Sequence, residues 1–135
     1  MSNDSDFWEA KFVDAFVTKS KRSRYKTLLK NPKKREKILG RLNHNPDLDF
    51  SHCNPRTGMR AYSSELMEKL SAYHLEPQCW LLSFDSELDR KLLPLNEAVE
   101  AICSAFWGTV IICPPMPIAV YSPENMKEKE LYLFT

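Results

Sequence analysis

The chain has 135 residues, of which 43% are apolar, 11% aromatic and 27% charged, with 19 basic against 18 acidic side chains. That length suits one folded unit burying roughly two thirds of the surface its unfolded form exposes, and the composition excludes a disordered or low-complexity chain. The near-neutral total hides a segregated distribution. Residues 19–41 carry eleven cations and the single acid Glu36, which leaves eight cations and 17 acids for all the rest. Such separation bears on partners and encounter rates rather than on fold.

The opening MSNDSDF is polar and acidic, without the basic and then apolar order of a secretory leader. The longest apolar run, near residues 107–113, falls far short of the ~20 residues that cross a bilayer as a helix. The sequence therefore predicts a soluble, cytoplasmic protein with no membrane partner. Cys53, Cys79, Cys103 and Cys113 form no CxxC pair, and three of them sit among apolar neighbours. They are expected to be reduced thiols, without a zinc ribbon or a thioredoxin-like motif.

Taken in order, Phe7, Trp8, Phe12, Val13, Phe16 and Val17 recur at helical spacing and predict a helix over 5–18. A break at 18–20 offers a hydroxyl cap for a second helix with Tyr25, Leu28 and Leu29 inward. Asn31 and Pro32 signal the start of a third, whose buried side is Ile38, Leu39 and Leu42. Residues 43–61 lack periodicity and hold prolines, asparagines and a glycine, which reads as a loop. Tyr62, Leu66, Leu70 and Tyr73 predict a helix of about three turns with Ser63 or Ser64 as cap, stopped by Pro77.

The character then changes. CWLLSF (79–84) reads as a buried strand, DSELDRK as an acidic turn, and Pro94 opens a helix with Leu95, Ala98, Val99, Ile102, Cys103 and Phe106 inward and Gly108 at its end. TVIIC (109–113) is a second strand, and if neighbouring and parallel to the first it implies a right-handed crossover. PPMP (114–117) turns the chain into IAVY (118–121), and the polar SPENMKEKE leads to LYLF (131–134), expected antiparallel to IAVY. The predicted architecture is α+β in one domain: about four helices over 1–76, then over 77–135 a small mixed sheet of about four strands with one crossover helix.

The cations carry the main functional signal. Arg22, Lys26 and Lys30 repeat at intervals of four, Arg24 lies between them, and Lys33, Lys34, Lys37 and Arg41 lie opposite or beside the apolar side of the third helix. Like charges at that spacing cost a few tenths of a kcal/mol each, a repulsion that an anionic partner relieves. The alternatives are a plain solvated face, or contact with the acidic part of this same chain or of a second copy, as in a homodimer.

A weaker constellation lies in the 43–61 loop. His44, Asp47, Asp49, His52 and Cys53 are of types able to hold a metal or to activate a cysteine nucleophile, with His44, Asp49, His52 and Cys53 the candidates, but their spacing matches no zinc or protease pattern, and Asp47 and Asp49 at i and i+2 are common turn chemistry. The scattered Gly40, Gly58 and Gly108 exclude a phosphate-binding loop, and there is no GxSxG or HExxH. The sequence thus favours a non-enzymatic binding protein, such as an inhibitor, immunity-type protein or adaptor, docking its basic helical face on an acidic protein surface without cofactor or metal. A backbone-directed nucleic-acid binder comes next, and an enzyme using Cys53 and His52 third.

Overall fold

The first helix, α1 (Asp4–Phe16), buries Phe12, Val13 and Phe16, the inward stripe its spacing predicts. It stops before the predicted end because Val17 joins an antiparallel bridge to Leu48. The computed structural model describes residues 4–44, 46–53, 58–115, 117–124 and 130–135. The predicted turn at Met116, the loop at 45 and 54–57, and the polar run at 125–129 lie outside the described residues.

A single 3-10 turn (Lys19–Lys21) leads into α2 (Arg22–Lys30), which is capped by neither Thr18 nor Ser20, and buries Tyr25, Leu28 and Leu29 as expected. Asn31 does organise the next turn: its Oδ1 accepts from Lys33 N at 3.0 Å and its carbonyl from Lys34 N and Arg35 N. Residues 32–34 form that turn, and α3 (Arg35–Arg41) begins one turn later than the proline signal suggests. A further 3-10 turn (Phe50–His52) and a two-residue strand, β1 (Met59–Arg60), occupy the predicted loop. Then come α4 (Ser63–Leu70), β2 (Gln78–Ser83), β3 (Leu92–Pro94), α5 (Leu95–Ser104), β4 (Thr109–Cys113), β5 (Ile118–Ser122) and β6 (Glu130–Phe134).

The class is α+β, as predicted. The sheet has six strands in the order β1-β6-β5-β4-β2-β3, and every pairing is antiparallel, which corrects the expected mixed sheet of four. The expected parallel pairing fails because β3 intervenes. It reverses the chain beside β2 before α5 crosses the sheet, so TVIIC returns antiparallel to CWLLS with Trp80 opposite Ile112. The crossover helix joins β3 to β4, with β2 lying between them.

Alternation along the strands builds two cores, one on each face. Leu82, Val110, Ile112, Ala119, Tyr121 and Phe134 pack against α1, α2 and α3. Leu81, Ile111, Val120, Leu131 and Leu133 pack against α4 and α5. Since successive strand side chains point to opposite faces, one sheet supports two helical layers. Ser83, Thr109 and Ser122 are buried polar exceptions, and the Ser83 and Thr109 hydroxyls meet at 2.8 Å. Two further expectations change. Phe106 lies beyond the end of α5 and is 50% exposed rather than inward. Gly108 is needed not to end the helix but for a close approach: a Cβ there would sit 2.3 Å from the Leu42 carbonyl, and its N–H donates to Asn43 Oδ1 at 2.7 Å.

Candidate functional site: a cationic cleft between two short helices

Because α2 and α3 each turn an apolar stripe inward, their charged side chains are left along the seam between them and on their outer flanks. The seam opens as a cleft of about 200 Å³ lined by Lys21, Arg24, Tyr25, Leu28, Lys37, Ile38, Arg41 and Asp47. Arg24, Lys37 and Arg41 of the predicted basic face meet here, joined by Lys21, which the helical repeat alone does not select. On the other flank of α2, Arg22, Lys26 and Lys30 share a shallower trough with Lys19 and Asp14. Lys33 and Lys34 are exposed in the turn before α3 and line neither. The single face read from the sequence is therefore two cationic surfaces, parted by the outer edge of α2.

Part of the charge is answered within the molecule. Lys26 Nζ lies 2.8 Å from Asp14 Oδ1, and Arg22 Nε donates to the Val17 carbonyl at 3.0 Å. Arg41 grips Asp47 with a fork, Nε to Oδ2 at 2.6 Å and Nη2 to Oδ1 at 3.1 Å, while the Tyr25 hydroxyl donates to Asp47 Oδ2 at 2.8 Å and to the Pro46 carbonyl. Partial burial opposes ionisation of Asp47, but the hydrogen bonds from Arg41 and Tyr25 outweigh it and hold the carboxyl below the usual carboxylate range. Burial and the neighbouring carboxylate together push the Tyr25 phenol well above its ordinary value. Lys21, Arg24 and Lys37 make no ion pair among the described residues.

One cation of the segment is not at the surface at all. Arg35, 5% exposed, donates from Nη1 and Nη2 to the two Glu9 oxygens at 2.7 Å each, from Nε and Nη2 to Asp89 at 2.9 and 3.1 Å, and from Nη1 to the Leu29 carbonyl. Trp80 Nε1 also reaches Glu9, and Ser83 N reaches Asp89. Burial works against this guanidinium's charge, yet its bonds to Glu9 and Asp89 prevail and raise its pKa further. The knot fixes α3, and hence one wall of the cleft, to α1, β2 and the turn before β3.

The loop residues fall into separate surroundings. His44 Nε2 lies 3.2 Å from Glu124 Oε1, beyond the end of α3. Asp49 caps the 3-10 turn by accepting from Ser51 N and Oγ, bonds that lower its pKa, and His52 stands 3.8 Å from its other oxygen with its ring against Phe16. Cys53 is buried in the core beside β6, to which its backbone is bridged at Phe134. No group of three or more His, Cys, Asp and Glu placed to hold a metal occurs among the described residues. None of the four cysteines is in a disulfide, and the buried Cys79 and Cys113 sulfurs lie 3.7 Å apart across β2 and β4; that mutual hydrogen bond, then burial, holds the Cys113 thiol well above its ordinary pKa. No described helix is long and apolar enough to cross a membrane.

A last feature lies across α3 from the cleft. Trp107 stacks edge-on between Phe84 and Phe106, at centroid distances of 5.3 and 4.8 Å, and both Phe106 and Trp107 are exposed. Phe84 lies 3.7 Å from where a Cβ on Gly40 would stand, so this aromatic group flanks α3 on the side away from Ile38. Fold and site together define a two-sided antiparallel α+β protein with a cationic groove on one side of α3 and exposed aromatics on the other. No family model, curated protein or solved structure matches the chain.

Proposed function

We propose that this is a non-enzymatic binding protein that docks an acidic protein surface in the α2–α3 cleft, in the manner of a small inhibitor, immunity-type protein or adaptor. The observation that carries it is the convergence of Lys21, Arg24 and Lys37, unpaired among the described residues, with Arg41 around one concave seam. A merely solvated helix disperses its cations and pairs them along its own length. Complementary charge of this kind speeds encounter and fixes register more than it adds affinity.

The aromatic group on the other flank of α3 favours a protein over a phosphate backbone. Aromatics and arginine are the residue types enriched where binding energy concentrates in protein interfaces, and a partner straddling α3 meets both. A backbone-directed nucleic-acid binder, in contrast, needs phosphate contacts throughout, and this cleft holds an aspartate.

The test is affinity capture from extract of the source organism, with and without nuclease treatment, using wild type, Arg24→Glu/Lys37→Glu and Lys33→Glu/Lys34→Glu. Docking in the cleft predicts that the first pair loses a specific acidic partner and the second retains most of it, with melting temperatures close to wild type. Equal retention by all three would overturn the proposal, and binding that disappears on nuclease treatment would assign the cations to nucleic acid.

A further inference from the structure

We infer that Asp47 is a built-in occupant of the cleft, a carboxylate that stands where an aspartate or glutamate side chain of the acidic partner is to be held and must give way to it. The inference rests on the docking function proposed above and adds the atoms through which it works.

Asp47 does not lie in the cleft by default. Its φ is +57°, the left-handed region that non-glycine residues seldom adopt, though Asp and Asn do so more readily than most. The backbone is held there from both sides: its carbonyl accepts from Thr18 N at 2.8 Å, and Asp49 N donates to the Phe16 carbonyl at 2.7 Å. The side chain is thereby presented to the Arg41 fork from a fixed platform and is 14% exposed. A planar guanidinium holding a carboxylate bidentately is the geometry in which arginine recognises Asp and Glu on other proteins. The cleft already performs, on its own chain, the recognition proposed for a partner.

Exchange costs little because each group released has another place to go. The Tyr25 O–H has one proton shared between Asp47 Oδ2 and the Pro46 carbonyl, so on losing the carboxylate it donates wholly to the carbonyl. Arg41, itself 42% exposed, trades one carboxylate for another. Asp47 turns toward water by side-chain rotation alone, while its backbone stays pinned. Lys21, Arg24 and Lys37, lining the same cleft, supply the excess positive charge that draws the incoming acid.

Competition of this kind predicts that removing the internal charge strengthens binding. The probe is a fluorescent octaglutamate peptide, with octaglutamine as control, titrated into wild type and Asp47→Asn at low ionic strength. The variant is expected to bind octaglutamate about fivefold tighter or more, the lower end of coupling between sites. In wild type the Arg41 Nε–H resonance is expected to move as the peptide is added, a readout independent of whether Asp47→Asn folds. Equal affinity of the two proteins, or peptide binding with that resonance unmoved, would overturn the inference while leaving the docking function standing. Failure of octaglutamate to bind either protein would also overturn it, and the capture experiment then decides docking separately.

Discussion

Replacing Arg35 by methionine tests the division of the basic segment into structural and functional cations. In the native fold this guanidinium makes five hydrogen bonds, four of them to Glu9 and Asp89, and all three side chains are largely shielded. Methionine matches the length and fills the space, so the loss is electrostatic: two carboxylates remain side by side without a counter-charge. Removing one partner of a buried ion pair costs about 3–5 kcal/mol. A chain of this length loses about 3–4 °C in melting temperature per kcal/mol, so a fall on the order of 10–20 °C is expected. Thermal denaturation followed by tryptophan fluorescence, which reports on Trp80 bonded to Glu9, measures the shift, and urea denaturation the free energy. Replacing all three partners together, as Glu9→Gln/Arg35→Met/Asp89→Asn, recovers most of the loss, because well-packed neutral groups can replace a buried network at little cost. A loss below about 1 kcal/mol for Arg35→Met alone, the range of exposed pairs such as Lys26 with Asp14, would show that Arg35 is not the tie we take it to be.

Other outcomes turn on single contacts. Gly108→Ala drives a Cβ to 2.3 Å from the Leu42 backbone and breaks the bond to Asn43, so chemical denaturation is expected to show a loss of about 3 kcal/mol or more, the sum of overpacking and an orphaned buried group. Burial raises the phenol pKa of Tyr25, Tyr121 and Tyr132 above the ordinary value of 10.0. A raised folded pKa gives stability that is complete below the unfolded pKa and lost above it. Stability is therefore expected to fall beyond pH 10, with Tyr25→Phe blunting the fall, and an unchanged alkaline limb in that variant would refute the contribution assigned to Tyr25. Asp47 has the opposite sign. Its lowered pKa gives stability present above its ordinary 3.8 and lost below it, so the difference in urea midpoint between wild type and Asp47→Asn should be constant near neutrality and shrink as the pH falls below about 4.

How far the sequence reveals this molecule depends on the range over which each signal acts. Local periodicity locates α1, α2 and α4 and the β-branched run of β4, because the apolar stripe of a helix or strand is written in neighbouring residues. It misses β3, whose three residues, Leu92–Pro94, are too few to alternate and end in proline, and with β3 goes the antiparallel return of β4. The cleft shows the same division. Arg24, Lys37 and Arg41 are legible as cations on amphipathic helices, but Lys21 joins them only because a 3-10 turn precedes α2. Arg35 resembles its neighbours in sequence, and its removal from the surface depends on Glu9 and Asp89, 26 and 54 residues away. Asp47 reads as ordinary turn chemistry until Arg41 and Tyr25 are seen to close on it. The His44, Asp49, His52 and Cys53 grouping rests on nearness along the chain: the fold sends His44 to Glu124 and Cys53 into the core, and keeps Asp49 and His52 together, 3.8 Å apart at the 3-10 turn.

The charge segregation also takes a different meaning once the layers are known. Exposed Glu65, Glu68, Glu97 and Glu100, with Lys69, occupy α4 and α5 on one side of the sheet, and the unpaired cations occupy α2, α3 and their flanking turns on the other. Two helical layers with a sheet between them set those outer surfaces about 30 Å apart, whereas the screening length at physiological salt is about 8 Å. A partner at the cleft therefore does not feel the acidic layer, and the whole-chain isoelectric point of about 7.7 says nothing against a polyanion there. The choice between acidic protein and nucleic acid has to come from within a few ångströms of the cleft. There the relevant feature is a carboxylate already seated in the arginine fork, and the aromatic group lies further off, across α3. The first is an intramolecular carboxylate held by Arg41, and on the docking proposal the second would add an apolar contact for a partner that straddles α3. Asp47→Asn frees the fork for any anion and does not by itself separate the two partners, because a guanidinium holds carboxylate and phosphate alike in bidentate geometry.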